Sequence, residues 1–291
     1  MKKNQLYCGI AVLLSFSMFV ACKKQDTSPA DANVFMEKNP FTIQKNEVYF
    51  YALDNNNTLV KYSGRQTFRE ERDMMIMGLQ AGELILAIDF RPATGQLYGV
   101  SNQSRIYVIN PNTGAATAVN PTPFSPAING AEVGFDFNPT VDRIRLITSS
   151  SQNLRLNPIT GVVAAMDGNL NPGNPFIVAG AYTNSFAGAT STALYDIDAS
   201  TDKLYIQNPP NNGSLVEIGS LGINAEGEGG FDISADNQLA LAVLYGNGDD
   251  EDAEGPNGFH HRFYYIDLQT GMAKNAGKAN RVITGIAIPV Q

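Results

Sequence analysis

The chain has 291 residues, a formal net charge of −8 at pH 7 and only two cysteines. An acidic chain of this kind lacks the basic face that neutralises phosphates, so nucleic acid is not expected as a partner. Charged residues make up 16% of the sequence, well below the usual quarter, and glycine, asparagine, threonine and serine are plentiful, which is typical of tight turns between short strands.

The N-terminus has the pattern of an export signal. Lys2 and Lys3 precede an apolar stretch from Ile10 to Ala21, which is too short to span a bilayer comfortably. The small Ala21 followed by Cys22 resembles a lipobox, although the residues before it depart from the commonest form. We therefore predict a signal peptide over residues 1–21 and lipidation of Cys22. The alternative is an ordinary secretory signal with a chance cysteine.

Cleavage before Cys22 would change the cysteine content and the net charge of the mature protein. Removal of residues 1–21 takes away Cys8 and two lysines, so no disulfide is left and the net charge becomes −10. A domain without disulfides needs a sizeable core, which the remaining chain is long enough to supply. Residues 22–45 show no periodicity and are predicted to tether the lipid to a domain at 46–291. We expect the bacterial cell envelope as the location, with the outer membrane as the anchoring membrane.

From Val48 onward the chain repeats every 46 to 54 residues. Each repeat contains short strand-like runs closed by turn residues such as Asn-Pro-Asn-Thr-Gly. Units begin near Ile85, Val133, Ala179 and Gly230. A period of this length with four antiparallel strands is typical of a β-propeller blade, which must bury both faces against its neighbours.

The two ends of the repeat region complement each other. The chain from Val48 to Leu79 resembles the last three strands of a blade, and Val282–Pro289 resembles the missing first strand. If both ends form one blade, the ring closes and no sheet edge is exposed. We predict an all-β chain with a single β-propeller of about five four-stranded blades. Six blades and a two-sheet sandwich are the alternatives.

Three motifs carry a resemblance to a known family. They are the Gly/Ala-hydrophobic-Asp-Phe-x-Pro pattern at Ala87–Pro92 and Gly134–Pro139, the run Leu97–Val100, and Glu228–Asp232. In these the chain resembles the family called domain of unknown function 4394, over roughly Val48 to Pro289. The resemblance implies the propeller fold and brings no activity, cofactor or catalytic residue with it.

Carboxylates recur at fixed places in the repeats. Asp89, Asp136 and Asp232 fall at the same position of the innermost strand, where they form either a ring around a channel or, in the favoured interpretation, structural acceptors of backbone hydrogen bonds. Glu132 and Glu228 lie four residues before two of them, on the same strand face.

These positions define the candidate catalytic residues. With Glu226 close by, the glutamates are expected to line one mouth of the channel. If the protein is an enzyme, Glu132, Asp136, Glu228 and Asp232 are the candidates, either as acid and base or as ligands of a cation. Solvated loop glutamates are the competing interpretation.

An acidic insertion interrupts the last blade between Gly246 and Gly258. It places five carboxylates within six residues, and Asp250, Asp252 and Glu254 alternate as calcium ligands would. The spacing is not that of an EF-hand, so a solvated acidic hairpin is the alternative. Calcium is the one cofactor that the sequence suggests.

Other catalytic motifs are missing. The two histidines, His260 and His261, are adjacent and in a strand point to opposite faces, which argues against a zinc hydrolase. The sequence contains no Gly-x-Ser-x-Gly elbow and no phosphate-binding loop. We therefore expect a lipid-anchored binding or scaffold module whose ligand is an unknown protein or glycan. The alternative is a cation-assisted, lactonase- or lyase-like propeller enzyme.

Overall fold

A computed structural model describes residues 48–65, 67–247 and 260–290. These ranges form twenty β-strands and one short 3₁₀ helix, Pro210–Asn212. Within them, no helix has the length and apolar character needed to cross a membrane. Cys22, the predicted signal peptide and tether, and the acidic insertion lie outside the described residues, and the predictions for them stay predictions.

The strands form five four-stranded antiparallel sheets, the blades. Blade 1 contains β20 (Ile283–Ala287), β1 (Val48–Asp54), β2 (Thr58–Gly64) and β3 (Phe68–Met75). Blade 2 contains β4 (Ile85–Phe90), β5 (Leu97–Ser101), β6 (Ile106–Ile109) and β7 (Ala116–Ala118). Blade 3 contains β8 (Val133–Asn138), β9 (Arg143–Thr148), β10 (Asn153–Leu156) and β11 (Val163–Met166). Blade 4 contains β12 (Ile177–Tyr182), β13 (Leu194–Asp198), β14 (Lys203–Gln207) and β15 (Leu215–Ser220). Blade 5 contains β16 (Asn224–Ile233), β17 (Ala240–Asn247), β18 (His260–Ile266) and β19 (Ala273–Lys278).

The C-terminal strand closes the ring. β20 pairs antiparallel with β1, with Ala52 opposite Ile286. The first strands of the five blades contact one another in the order β4, β8, β12, β16, β20 and back to β4, so they surround the central axis. The predicted five-bladed propeller closed by its chain ends is confirmed, and neither a sixth blade nor a sandwich is present in the described ranges.

The turn residues seen in the sequence act as expected. In blade 2, the side chain of Asn110 accepts the backbone N–H of Asn112 at 2.9 Å, and Gly114 takes a left-handed φ of 73° to end the turn. Blade 3 repeats the device with Asn157 and Gly161. Asparagine fixes the start of such a turn through its side-chain oxygen, and glycine adopts the positive φ without a Cβ clash.

Apolar layers between the blades form the core. Blades 1 and 5 share an aromatic cluster in which Phe50 lies 5.4 Å from Tyr62 and 5.3 Å from Phe263, measured between ring centroids. The layer between blades 3 and 4 is smaller and more polar. There the buried Arg145 donates to Tyr182 Oη at 3.2 Å and pairs with Asp167 at 2.6 Å.

Small residues bring the innermost strands close together. A Cβ added to Gly230 would lie 2.6 Å from the amide nitrogen of Ile286, and one added to Gly134 would lie 2.9 Å from the amide nitrogen of Gly180. The cavity left on the axis has a volume of about 10 Å³, which is room for about one water. The centre of the propeller is therefore closed, and any ligand larger than water has to bind at its faces.

Candidate functional site

A cleft of about 920 Å³ opens at the face where the innermost strands begin. Its walls come from the starts of β8, β16 and β18, the end of β17 and the connection from β19 to β20. Charged and aromatic side chains in these walls are Glu132, Glu226, Glu228, Tyr245, His260, His261, Lys278 and Arg281. We call this site the mouth cleft. The volume lies in the range of pockets that hold a small molecule or one group of a larger ligand.

Glu132 lies one residue before β8 and is half-buried. Its own backbone is held by Ser149, whose hydroxyl accepts the Glu132 N–H at 3.1 Å. The carboxylate accepts the backbone N–H of Glu228. Burial raises the pKa of Glu132, and the nearby charge of Glu228 raises it further. Glu132 is therefore a carboxyl group with an increased tendency to carry a proton.

Glu228, which donates its backbone N–H to Glu132, also forms a pair with His261. Glu228 occupies an irregular part of β16 between Gly227 and Gly229 and has a left-handed φ of 34°. This bend directs its half-exposed carboxylate to within 3.3 Å of Nε2 of the buried His261. Burial lowers the pKa of His261, while the charge of Glu228 works in the other direction.

His261 also contacts an aromatic ring of β17. Its ring lies 5.2 Å from that of Tyr245, the residue opposite it in β17. The sequence did not predict a site at either histidine, because adjacent residues in a regular strand point to opposite faces and cannot share one metal. β18 is buried on both faces, and His261 lies on the same face as Phe263, two residues along the strand.

The basic residue Arg281 does little to neutralise the mouth cleft. Its guanidinium contacts Glu70 at 3.0 Å, Asp73 at 2.7 Å and Asp54 at 3.3 Å, all from blade 1. The hydrogen bonds that Arg281 donates to these carboxylates raise its pKa and hold it fully charged. Three acids already surround this cation. Lys278 also lines the cleft, but among the described lining residues the glutamates Glu132, Glu226 and Glu228 outnumber it, so the mouth cleft keeps an excess of negative charge.

The recurring aspartates lie deeper, at the other end of the innermost strands. Asp89, Asp136 and Asp232 are buried and each offers a carboxylate oxygen within 4.8 Å of the others; we call them the axial carboxylate cluster. Asp136 lies four positions after Glu132, which separates the two layers by about 13 Å of strand. The ring of small residues lies between them.

Each aspartate of the cluster links its strand to the next blade. Asp89 Oδ2 accepts the N–H of Phe137 at 2.8 Å, and Asp232 Oδ2 accepts the N–H of Ile288 at 2.5 Å. Asp136 receives the N–H of Tyr182. This geometry agrees with the structural interpretation, in which the aspartates accept backbone hydrogen bonds. Ala181 and Ala287 take the equivalent positions in blades 4 and 1.

Burial and mutual repulsion disfavour the state in which all three aspartates of the cluster are ionised. Burial raises the pKa of Asp89 and of Asp136 well above the usual value, and the neighbouring aspartates raise both further. Burial also raises the pKa of Asp232 to about 7, against the lowering effect of its two backbone hydrogen bonds. A buried group of three carboxylates therefore needs protons or a cation to be stable.

The structure divides the four candidate catalytic residues between two sites. Glu132 and Glu228 belong to the mouth cleft, together with Glu226, whereas Asp136 and Asp232 belong to the axial carboxylate cluster. The four do not form one group. Asp250, Asp252 and Glu254, the candidate calcium ligands, lie outside the described residues.

One buried carboxylate was missed by the sequence analysis. Asp196 in β13 is completely buried, and neither of its oxygens has a hydrogen-bond partner among the described residues. Burial raises its pKa to about 8, although the charge of Arg145 lowers it somewhat. Blade 4 departs from the repeat pattern, so no repeated position marked this residue. An aspartate between Tyr195 and Ile197 in an apolar strand was the one available signal.

Comparisons with known proteins identify the family of this chain. A solved structure described as a structural genomics protein of unknown function from Bacteroides thetaiotaomicron is similar, with 13% identity and a TM-score of 0.44. The similarity covers 80% of this chain and 58% of that one. No curated protein matches the sequence. A family model matches residues 58–287, which is most of the chain. The chain therefore belongs to the family described as Domain of unknown function (DUF4394).

Proposed function

We propose that this protein is an exported lipoprotein whose propeller binds an extracytoplasmic ligand in the mouth cleft. Anchoring through a lipid on Cys22 is supported by the basic start, the apolar stretch and the small residue before the cysteine. The observation that carries the binding proposal is the cleft of about 920 Å³ with Glu132, Glu226 and Glu228 in its walls. The bacterial cell envelope, with the outer membrane as anchor, is the proposed location.

The charge of the cleft defines the class of ligand. Glu226 is exposed and Glu228 is half-exposed, so both carboxylates are available to a ligand. Arg281 is already surrounded by acids of blade 1, and three glutamates outnumber Lys278 among the described lining residues. The cleft therefore favours a ligand with an amine or guanidinium group. Such a group occurs on basic side chains of proteins and on amino sugars of glycans, which are the two partner classes expected from the sequence.

The test uses probes that differ in one charge. Chitosan oligosaccharides and lysine-containing peptides are compared with their N-acetylated forms by calorimetry. We expect the amine forms to bind at least tenfold more tightly than the acetylated forms. The double variant Glu226→Gln/Glu228→Gln should lose this preference, since each charge-assisted hydrogen bond contributes roughly 1.5–3 kcal/mol.

A matched control separates the cleft from general surface charge. Glu217→Gln removes an exposed carboxylate on β15, where it pairs with Lys203 away from the cleft. This variant should bind like the wild type. Equal affinity for amine and acetylated probes in the wild type would count against the proposed ligand class.

The anchor has its own test. Cys22→Ala should move the protein from the membrane fraction to the soluble fraction of the cell envelope. Continued membrane association of this variant would contradict lipidation at Cys22. The result does not depend on the cleft ligand, so the two parts of the proposal are judged separately.

A second candidate function is catalysis in the same cleft. It is favoured by geometry, because Glu132 accepts the N–H of Glu228 and His261 Nε2 lies 3.3 Å from the Glu228 carboxylate. The pKa of Glu132 is raised and that of His261 is lowered, which suits an acid and a base. A lactonase-like reaction fits this pair. Turnover in a panel of lactones should be lost in Glu132→Gln and His261→Asn but kept in Glu217→Gln. Absence of turnover in the wild type across the panel would remove this candidate.

A further inference from the structure

The axial carboxylate cluster has no positive charge assigned to it. The ion pairs that buried and half-buried arginines form with acids of the described residues do not reach the cluster. They join Arg91 to Asp142, Arg105 to Glu83, Arg145 and Arg155 to Asp167, and Arg281 to Asp54, Glu70 and Asp73. Among the ion pairs in the described ranges, none includes Asp89, Asp136 or Asp232. Three carboxylates that lie within 4.8 Å of each other in a dry interior repel strongly, so something has to offset their charge.

The hydrogen bonds of the cluster leave one oxygen without a donor. Asp89 Oδ1 accepts the N–H of the next residue, Phe90, at 2.6 Å, and Asp232 Oδ1 does the same with Ile233. The equivalent amide beside Asp136 is that of Phe137, but this N–H is donated to Asp89 Oδ2. Asp136 is 3% exposed, and its Oδ1 has no partner among the described residues. A buried acceptor of this kind needs an electropositive ligand.

We infer that Asp89, Asp136 and Asp232 bind one calcium ion on the axis of the propeller. Three oxygens with separations of at most 4.8 Å have a common centre no more than about 2.8 Å from each, and Ca²⁺ binds oxygen at 2.3–2.6 Å. Movements of a few tenths of an ångström therefore complete the contacts. Mg²⁺ requires about 2.0–2.1 Å and a regular octahedron, so it fits less well.

The ion has a structural role that is separate from the proposed function of the mouth cleft. The three ligands come from the first strands of blades 2, 3 and 5, so one ion joins three of the five blades at the axis. The small residues Gly134 and Gly230 bring the strands together between this site and the cleft. Since that passage has room for about one water, a ligand in the cleft cannot touch the ion.

The experiment measures calcium content and melting temperature together. The full chain is unfolded in urea with EDTA and refolded with calcium, with magnesium or with neither, because the closed centre blocks direct entry of the ion. We expect one calcium per chain and a rise in melting temperature of about 5 °C or more at saturation, with a smaller effect of magnesium. Asp136→Asn should abolish both the bound calcium and the rise.

Two control variants identify the site. Asp196→Asn changes another fully buried aspartate in the neighbouring blade and should keep the bound calcium. Asp250→Asn/Asp252→Asn changes the acidic insertion and should keep it as well. If Asp136→Asn does not fold, Asp232→Asn replaces it in the same assay. If the wild type takes up no calcium, or if only the insertion variant loses it, the inference is wrong and protons neutralise the cluster.

Discussion

The mouth cleft and the axial carboxylate cluster use the same strands for different purposes. Asp136 lies in β8, the first strand of blade 3, and Glu132 immediately precedes that strand, four positions before Asp136. Glu132 receives one backbone N–H and borders an open cleft, whereas the cluster aspartates Asp89 and Asp232 each receive two and are buried. A carboxylate is therefore available to a ligand at one end of the innermost strands and links neighbouring blades at the other end.

The largest expected effect comes from removal of a cluster carboxylate. Asp89→Ala leaves the buried N–H groups of Phe90 and Phe137 without acceptors, at about 1–3 kcal/mol each, and opens a small cavity. We expect a loss of about 4–6 kcal/mol in the free energy of unfolding, measured with urea. The half-exposed Glu228→Ala serves as the comparison from the mouth cleft and should lose less than about 1 kcal/mol. Similar losses in both variants would remove the distinction between the two layers.

Asp196 differs from the cluster aspartates because it is buried with no hydrogen-bond donor among the described residues. Its pKa of about 8 in the folded protein lies above that of an unfolded aspartate, about 3.9, so the folded state binds the extra proton between these values. Wild-type stability should therefore fall as the pH rises from 4 to 8. Asp196→Asn avoids this cost and should be more stable than the wild type by about 3–5 kcal/mol at pH 9, with little difference at pH 4.

Urea unfolding at several pH values checks this prediction. The exposed Asp236→Asn is the control, and its difference from the wild type should not change across the same pH window. A difference between Asp196→Asn and the wild type that is independent of pH would mean that Asp196 is charged in the folded state.

The small residues between the two layers give the next effect. Gly230→Ala places a Cβ 2.6 Å from the amide nitrogen of Ile286, and backbone atoms cannot move aside easily. We expect a loss of about 2–3 kcal/mol in the free energy of unfolding. In Gly99→Ala the nearest atom is the flexible end of Ile109 at 2.9 Å, so the loss should be smaller. Equal losses would show that the first strands are not held at close approach.

The smallest effect concerns the mouth cleft alone. Glu228→Gln removes the charge that raises the pKa of His261, so this pKa should fall further below its usual value. Titration of the histidine ring by NMR measures the change. Glu217→Gln, far from the cleft, should leave the titration unchanged. A rise of the His261 pKa in Glu228→Gln would contradict the proposed contact.

Much of the fold was predictable because each sequence repeat forms one blade and repeats the same contacts with its neighbour. The aspartate pattern of Asp89 and Asp136 recurs because each carboxylate caps the same amide of the following strand. The chain ends predicted ring closure because the N-terminal repeat contains only three strands of a blade and the C-terminal strand supplies the fourth. Blade 4 was harder to recognise since Ala181 replaces the aspartate and polar contacts of Arg145 replace part of its apolar layer.

The site was predictable only in part. Alternation along the strand gave the shared face of Glu132 and Asp136, but a linear pattern does not report that the axis between them is closed. The irregular backbone at Glu228 and its contact with His261 depend on pairing between β16, β17 and β18. The contact joins residues 33 positions apart (261 − 228), and no local spacing encodes it.

Affinity for an amine-bearing probe is the measurement that tests the central distinction most directly. Chitosan oligosaccharide binding is measured for the wild type, for Glu226→Gln/Glu228→Gln and for Asp136→Asn, each refolded and confirmed to be folded. The account predicts at least a tenfold loss of affinity in the cleft variant and wild-type affinity in Asp136→Asn. Loss of binding in Asp136→Asn with full binding in the cleft variant would contradict it.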